Sequence, residues 1–238
     1  MRLLAIGDIH GQLERLNRLL ARVRPRPDDQ VVLLGDYIDR GPDAKGVIDA
    51  LLKLRGAAPR TVFLRGNHEQ MLLDSLFELG IMSDWKPLRA YAGSPDLSLS
   101  TDRFLFEMNG GLATLLSYVG AAPQPFADRE SAYRMIPRRH VDFLKQTALY
   151  YRYRNFLFVH AGINARDPLG ERQGPYDLLW RRRVDPCRIG AQAVTVVHGH
   201  TPCREPLFTE REINLDTGAG HGRLLSCCDL LTGKVWQA

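Results

Sequence analysis

Val31-Val32-Leu33-Leu34-Gly35-Asp36-Tyr37-Ile38-Asp39-Arg40-Gly41 sets a short aliphatic run directly against a turn that carries two aspartates and an arginine. A run this short, β-branched and closed by glycine, reads as a buried strand rather than a helix. The same grammar recurs along the chain. Leu3-Leu4-Ala5-Ile6 leads into Gly7-Asp8-Ile9-His10-Gly11, and Thr61-Val62-Phe63-Leu64 into Arg65-Gly66-Asn67-His68-Glu69. Phe156-Leu157-Phe158-Val159 leads into His160-Ala161-Gly162, and Val194-Thr195-Val196-Val197 into His198-Gly199-His200-Thr201. In α/β sheets ligands gather beyond the carboxyl ends of the strands. Five strands delivering His, Asp and Asn to one rim therefore predict a single polar site.

Helical spacing fills the intervals. Leu13, Leu16, Leu19, Leu20 and Val23 form one stripe, Val47, Ile48, Leu51, Leu52 and Leu54 a second, and Met71, Leu72, Ser75, Leu76 and Leu79 a third. Strand and helix in alternation predict an α/β layered core. Residues 81–137 break the rhythm with Gly93-Ser94-Pro95-Asp96, Asn109-Gly110-Gly111 and Ala122-Pro123-Gln124-Pro125, around an amphipathic piece near 112–118. This stretch reads as a mostly helical insertion beside the site, within one domain spanning 1–238. A helix over 138–147 returns the chain to the core. Alternation near 224–230 and 234–237 predicts a closing antiparallel pair.

Composition narrows the class. Of 238 residues 45% are hydrophobic and 25% charged, ordinary for a globular chain. No apolar run approaches the roughly 20 residues that span a bilayer, and the apolar start is too short for a signal peptide. A cytoplasmic monomer with no membrane partner is expected. The formal charge of +5 is scattered over the chain without a nucleic-acid module, so no nucleic-acid partner is expected, whereas an anionic substrate suits that balance. Cys187, Cys203, Cys227 and Cys228 lack the paired spacing of a metal knuckle and read as reduced thiols. On a strand, adjacent Cys227 and Cys228 would point to opposite faces.

The polar residues suggest a chemistry. Asp8 and His10 can turn toward one ion if the chain bends at Gly11. Asp36, with two oxygens, can reach that ion and bridge to a second, whose shell Asn67, His160 and His200 would complete. Mixed nitrogen and oxygen donors suit manganese, iron or zinc better than calcium. Two such ions about 3.5–4 Å apart lower the pKa of a shared water and clamp an in-line displacement at phosphorus. Arg40 and Arg65 offer planar forks matched to phosphate oxygens. His68 oriented by Asp39 would be suited to protonating a departing oxygen. His198 reads as a core or supporting histidine and His140 as a helix-surface residue. His221, in a glycine-rich loop, is left open between the site and the surface. Asn214 and Asp216 read as turn residues, and Glu69 as a helix-start carboxylate favoured by the dipole.

Gly7–Gly11, Gly35–Gly41 and Gly66–Glu69 resemble the three signature blocks of the PPP phosphoprotein phosphatases. His160-Ala161-Gly162 and Gly199-His200-Thr201-Pro202 resemble the later metal-binding blocks. Residues 109–114, 140–144 and 213–219 are similar to segments of the bacterial and bacteriophage-lambda-type branch, so the likeness covers nearly the whole chain. The resemblance implies a four-layer α/β/β/α metallophosphoesterase sandwich and hydrolysis of phosphoserine and phosphothreonine by a metal-bridging hydroxide, usually with manganese. It implies two divalent ions, one on Asp8, His10 and Asp36, the other on Asp36, Asn67, His160 and His200. It implies phosphate on Arg40, Arg65 and Arg182, the last because it follows Trp180, with His68 and Asp39 as the acid pair. The substrate would be a phosphorylated protein or a small phosphoester. Two alternatives stand beside this. Symmetrical dinucleoside tetraphosphatases share most of these blocks but typically lack the aspartate held by Asp39 and carry aspartate where Glu69 stands. A phospho-binding scaffold without turnover usually loses a ligand or the acid histidine, and none is missing here.

Overall fold

The computed structural model describes residues 1–88, 101–120, 129–164, 174–184, 187–189 and 192–238. From its start the chain alternates β1 (Leu3–Ile6), α1 (Leu13–Val23), β2 (Gln30–Leu33), α2 (Ala44–Ala57), β3 (Thr61–Phe63) and α3 (Asn67–Glu78). The helices form where the apolar spacing places them. Leu16, Leu19 and Val23 are the buried side of α1, and Val47, Ile48, Leu51 and Leu54 that of α2. The Asp43 carboxylate caps α2 by accepting from the Gly46 amide at 2.7 Å.

The three parallel strands β1, β2 and β3 form one side of a five-stranded sheet. It is completed by β10 (Ser226–Asp229), antiparallel to β1, and β11 (Lys234–Gln237), antiparallel to β10, which is the closing pair expected from the alternation. A second sheet runs β4 (Tyr150–Tyr153), β5 (Phe156–Val159), β7 (Gln192–His198), β9 (Glu212–Asn214) and β8 (Leu207–Phe208). Its inner strands β5, β7 and β9 are parallel, and β6 (Cys187–Ile189) pairs antiparallel with β7.

Strand alternation sorts side chains into three apolar layers. Leu4 and Ile6 pack against Leu16, Leu19, Val47 and Leu51 on the helix side. Leu3 and Ala5, from the same strand, meet Val32, Leu34, Phe158, Val197 and Leu215 between the sheets. On the far side Leu157, Val159 and Val196 pack on Leu178 and Leu179 of α8 (Pro175–Trp180). The result is the α/β/β/α order. Each fully buried Leu, Val or Phe in these layers contributes about 1.5–3 kcal/mol. Cys227 lies in the helix-side core and Cys228 between the sheets, on opposite faces as expected.

Between α3 and α7 (Arg138–Lys145), the described part of 81–137 contains α4 (Asp102–Phe106), a kinked segment (Glu107–Gly111) bent at Gly110, α5 (Leu112–Val119) and α6 (Arg129–Arg134). The glycine–proline readings at 93–96 and 122–125 lie outside the described residues. His140 corrects an expectation. It is fully buried rather than on the helix surface, with Nδ1 2.8 Å from the Tyr118 hydroxyl and Nε2 3.1 Å from Asp49 Oδ1. Its helical spacing matches Phe143 and Leu144 one turn on, which carry it inward. Among the described residues no helix is long and apolar enough to cross a membrane.

Gly7, at the exit of β1, is where the two sheets touch through backbone. A Cβ there would stand 2.2 Å from the Leu215 carbonyl oxygen. Gly7→Ala is expected to destabilise the fold by about 1–3 kcal/mol, the range for overpacked sites, as a lower urea midpoint at an unchanged slope.

Candidate metal centre and active site

Each strand run ends by placing polar groups at the same rim. The Asp36 carbonyl accepts from the amides of Ile9 and His10 at 2.9 and 2.8 Å, which locks the β1 exit against the β2 exit. Gly11, at φ +62, supplies the bend expected there. Gly199 lets the backbone after β7 pass Asp8, since a Cβ at Gly199 would lie 2.0 Å from Asp8 Oδ1. His10, Asp36, Asp39, Arg40 and His200 all have φ between 48° and 72°, a left-handed backbone that costs each about 1–3 kcal/mol. Strain gathers where the polar groups converge.

Asp36 sits at the centre. Its Oδ2 is 3.4 Å from His10 Nε2 and 3.8 Å from His68 Nε2, while its Oδ1 is 3.4 Å from His160 Nε2. Asn67 Oδ1 stands 3.0 Å from His160 Nε2 and 3.1 Å from His200 Nδ1. The sets His10–Asp36–His68 and Asp36–His160–His200 each bring their donor atoms within 4.8 Å of one another, with Asp36 common to both. Asp8 adjoins them: its Oδ2 accepts from the His200 amide at 2.9 Å.

Backbone carbonyls choose the tautomers. His10 Nδ1 donates to the Ile38 carbonyl at 2.9 Å and His160 Nδ1 to the Leu34 carbonyl at 2.8 Å. Both rings therefore turn a bare Nε2 toward the centre, the arrangement that orients metal-binding imidazoles. Burial keeps His10 and His160 below their ordinary value, and burial with the nearby His160 brings His200 down to about 3. Burial, then the charges of Asp216 and Asp36, push Asp8 well above the usual carboxylate range. Thus lone pairs of Asp36 Oδ1, Asn67 Oδ1 and His160 Nε2 face one another, and buried Asp8 Oδ1 has no protein partner. Neutral imidazoles, an amide oxygen and carboxylates crowded together are a donor set that a divalent cation satisfies and a proton does not. The residues fit two cations sharing Asp36.

A cavity of about 320 Å³ opens over this cluster, walled by Arg40, Asn109, Trp180, Arg182, His200 and His221. The Arg40 guanidinium hangs in it, with Nη1 2.9 Å from His10 Nε2 and 3.3 Å from His221 Nε2, and Nη2 3.1 Å from His68 Nε2. His221 thus belongs to the cavity. His68 Nδ1 donates to Asp39 Oδ2 at 2.6 Å, both side chains being buried. Burial works against a charged His68 ring, but Asp36 and the bond to Asp39 outweigh it and hold the ring above its ordinary value.

Arg65 departs from expectation. Its guanidinium donates to Thr147 Oγ1, Gln70 Oε1 and the carbonyls of Lys145 and Thr147 at 3.0–3.1 Å, and lies 4.9 Å over the Trp85 ring. Those contacts turn it away from the cavity, so Arg65 braces β3 against α7 rather than meeting phosphate. Glu69 does more than favour a dipole. Its carboxylate accepts from the amides of Gly66, Asp36, Tyr37 and Ile38 at 2.7–3.3 Å, pinning the Asp36 turn to the start of α3. Burial, then the Asp36 charge, push Glu69 up to about 7 against those donors. His198 is buried with Nε2 3.0 Å from Glu212, as expected, whereas Asn214 is the last residue of β9 rather than a turn residue, its Oδ1 accepting from the Asp216 amide at 2.9 Å.

The family model of calcineurin-like phosphoesterases matches residues 1–221. A Caenorhabditis elegans protein named "Putative serine/threonine-protein phosphatase" is 35% identical over 45% of this chain and 32% of its own length. A Schizosaccharomyces pombe protein of the same description is 30% identical over 48% of this chain and 40% of its own. The chain therefore spans less than half the length of the curated relatives it matches. Among solved structures, one described as a "putative diadenosine tetraphosphatase" superposes with TM-score 0.65 at 24% identity, over 100% of this chain and 92% of that one. A serine/threonine phosphatase from Saccharomyces cerevisiae "with similarity to human phosphatase PP5" superposes with TM-score 0.57 at 13% identity, over 100% and 79%. At these identities the two structures speak to fold alone.

The two arginines separate in a binding experiment. Arg40→Ala is expected to weaken inhibition by inorganic phosphate about ten- to hundredfold, the worth of a hydrogen bond to a charged group at about 1.5–3 kcal/mol. Arg65→Met is expected to lower the melting temperature and leave the phosphate inhibition constant unchanged.

Proposed function

We propose that this chain, which belongs to the calcineurin-like phosphoesterase family, hydrolyses phosphomonoesters of the phosphoserine and phosphothreonine class. The observation carrying this reading is the Asp36 carboxylate, buried and shared between two sets of imidazole nitrogens. Asp8, His10 and Asp36 would hold one divalent cation, and Asp36, Asn67, His160 and His200 the second. Bound there, the cations supply Lewis acidity and make water a stronger acid at neutral pH; manganese suits this donor set, as do iron and zinc.

The chain's own groups do the rest. Arg40 and Arg182, at the cavity wall, present guanidinium forks to the phosphate oxygens and orient the ester. Trp180 and Asn109 narrow the space around the leaving alcohol. Water adds to phosphorus as the bond to the ester oxygen breaks, and that oxygen leaves with the bond's electron pair. His68, its Nδ1–H held by Asp39, gives the Nε2 proton to the departing oxygen, so phosphomonoester and water become alcohol and inorganic phosphate. A proton lost from the attacking water restores the ring through solvent. The relatives' names agree with this substrate class, and Asp39 and Glu69 favour it over symmetrical cleavage of diadenosine tetraphosphate. In this reading the chain acts as a cytoplasmic monomer on phosphorylated proteins or small phosphoesters.

The test uses the manganese-loaded chain. His68→Asn and Asp39→Asn are each expected to lower kcat on a phosphopeptide by about 10²–10⁴-fold, while elemental analysis finds the same metal content. An emptied metal site with normal residual turnover would contradict the acid pair. Faster release of ADP from diadenosine tetraphosphate than of phosphate from the peptide would transfer the assignment to the nucleotide class. Binding of phosphate without turnover under any divalent ion would make the protein a scaffold.

A further inference from the structure

We infer that Thr114, on helix α5 of the 81–137 segment, is a positioning residue that holds Asp39 and through it aims His68. The inference rests on the acid-pair reading above. Thr114 is fully buried, and its hydroxyl uses both of its capacities on one residue. It donates to Asp39 Oδ1 at 2.5 Å and accepts from the Asp39 amide at 2.8 Å. Because Asp39 Oδ2 takes the His68 Nδ1 proton at 2.6 Å, each carboxylate oxygen has one assigned partner, and rotation of the carboxylate would break both bonds. Asp39 also sits at φ 72°, a conformation its own backbone disfavours, and the bond to its amide helps keep it there.

Three features show that α5 is built to deliver this hydroxyl. Leu115 and Tyr118 anchor the helix in the helix-side core, and Ser117 Oγ accepts from the Lys45 amide at 3.1 Å, tying α5 to the start of α2. The preceding segment kinks at Gly110, whose φ of 104° is not helical, and the kink sets the direction in which α5 leaves it. The carbonyl of Gly110 accepts from the Arg40 amide at 3.2 Å, so the same segment grips both the acid's aspartate and the next residue. A Cβ on Gly110 would lie 2.9 Å from Arg40 Cγ, which leaves glycine as the residue that permits the approach. A valine at 114 keeps the shape and leaves the Asp39 amide and Oδ1 both without a partner, whereas a serine keeps both bonds.

The experiment compares leaving groups. A positioned acid matters most when the departing oxygen is a poor leaving group, so phenyl phosphate and p-nitrophenyl phosphate are assayed side by side with the manganese-loaded full chain. Thr114→Val is expected to lower kcat on phenyl phosphate on the order of 10²-fold, as a misplacement of about 1 Å can, with a much smaller effect on p-nitrophenyl phosphate. KM and metal content stay the same, Thr114→Ser restores the rate, and Thr114→Val adds nothing in an Asp39→Asn background. Thr114→Ala carries the same test should the valine variant not fold. Equal losses on both esters, an unrestored serine variant, or a further loss in the Asp39→Asn background would each overturn the inference. His68→Asn is the control. If it slows both esters equally the acid-pair reading itself fails, whereas a leaving-group effect in His68→Asn without one in the Thr114 variants refutes Thr114 alone.

Discussion

The structure is organised around one buried carboxylate. Asp36 leaves β2 in a left-handed conformation and sends one oxygen toward His10 and His68 and the other toward His160. A carboxylate so placed is costly unless its charge is matched. Cations bound beside it would match that charge, and the neighbouring groups are donors to the same cations: His10 and His160, held by burial below their ordinary value, the amide oxygen of Asn67 and the carboxylate of Asp8. Glu69 secures the position from behind, because three of the four amides it receives belong to the turn that carries Asp36 and the fourth to Gly66, just before α3. The two sheets pack face to face, and the close approaches of Gly7 to the Leu215 backbone and of Gly199 to the Asp8 carboxylate let these groups converge at one rim.

Around that centre, polar groups divide between those that face the cavity and those that hold them. Arg40, Arg182 and His221 face it. Asp39 and Glu69 hold, and so does Thr114, through which the 81–137 segment reaches the acid pair. That segment is more than a cover beside the cleft, since its Thr114 takes one oxygen of the buried Asp39 while His68 takes the other. Buried polar networks of this kind are rigid only when every member is paired. The chain Thr114–Asp39–His68 meets that condition at each link.

The sequence carried much of this directly. Short apolar runs closed by Gly-Asp, Gly-Asn or His-Gly identify both the strands and the rim, because strand ends and ligand sites coincide in layered α/β folds. Asp8, His10, Asp36, Asn67, His160 and His200 come together from those runs. The misreadings share a cause. Arg65 looked like Arg40, an arginine inside a polar block, yet Thr147, Gln70 and Trp85, remote or merely adjacent in the chain, turn it inward. His140 looked exposed because its burial depends on Tyr118 and Asp49, each on a different helix. Periodicity within one element does not report what packs against it.

Taken alone, the order of residues determined the layered α/β class, the five strand exits and the set of donors gathered there, because local alternation and turn chemistry are encoded over a few neighbours. Tertiary structure decided which arginine faces the cavity, that Glu69 fastens the Asp36 turn, that His221 reaches the cavity wall and that Thr114 meets Asp39. Those outcomes depend on directions and distances of a few ångströms between segments far apart in the chain, and such distances exist only once the layers have packed.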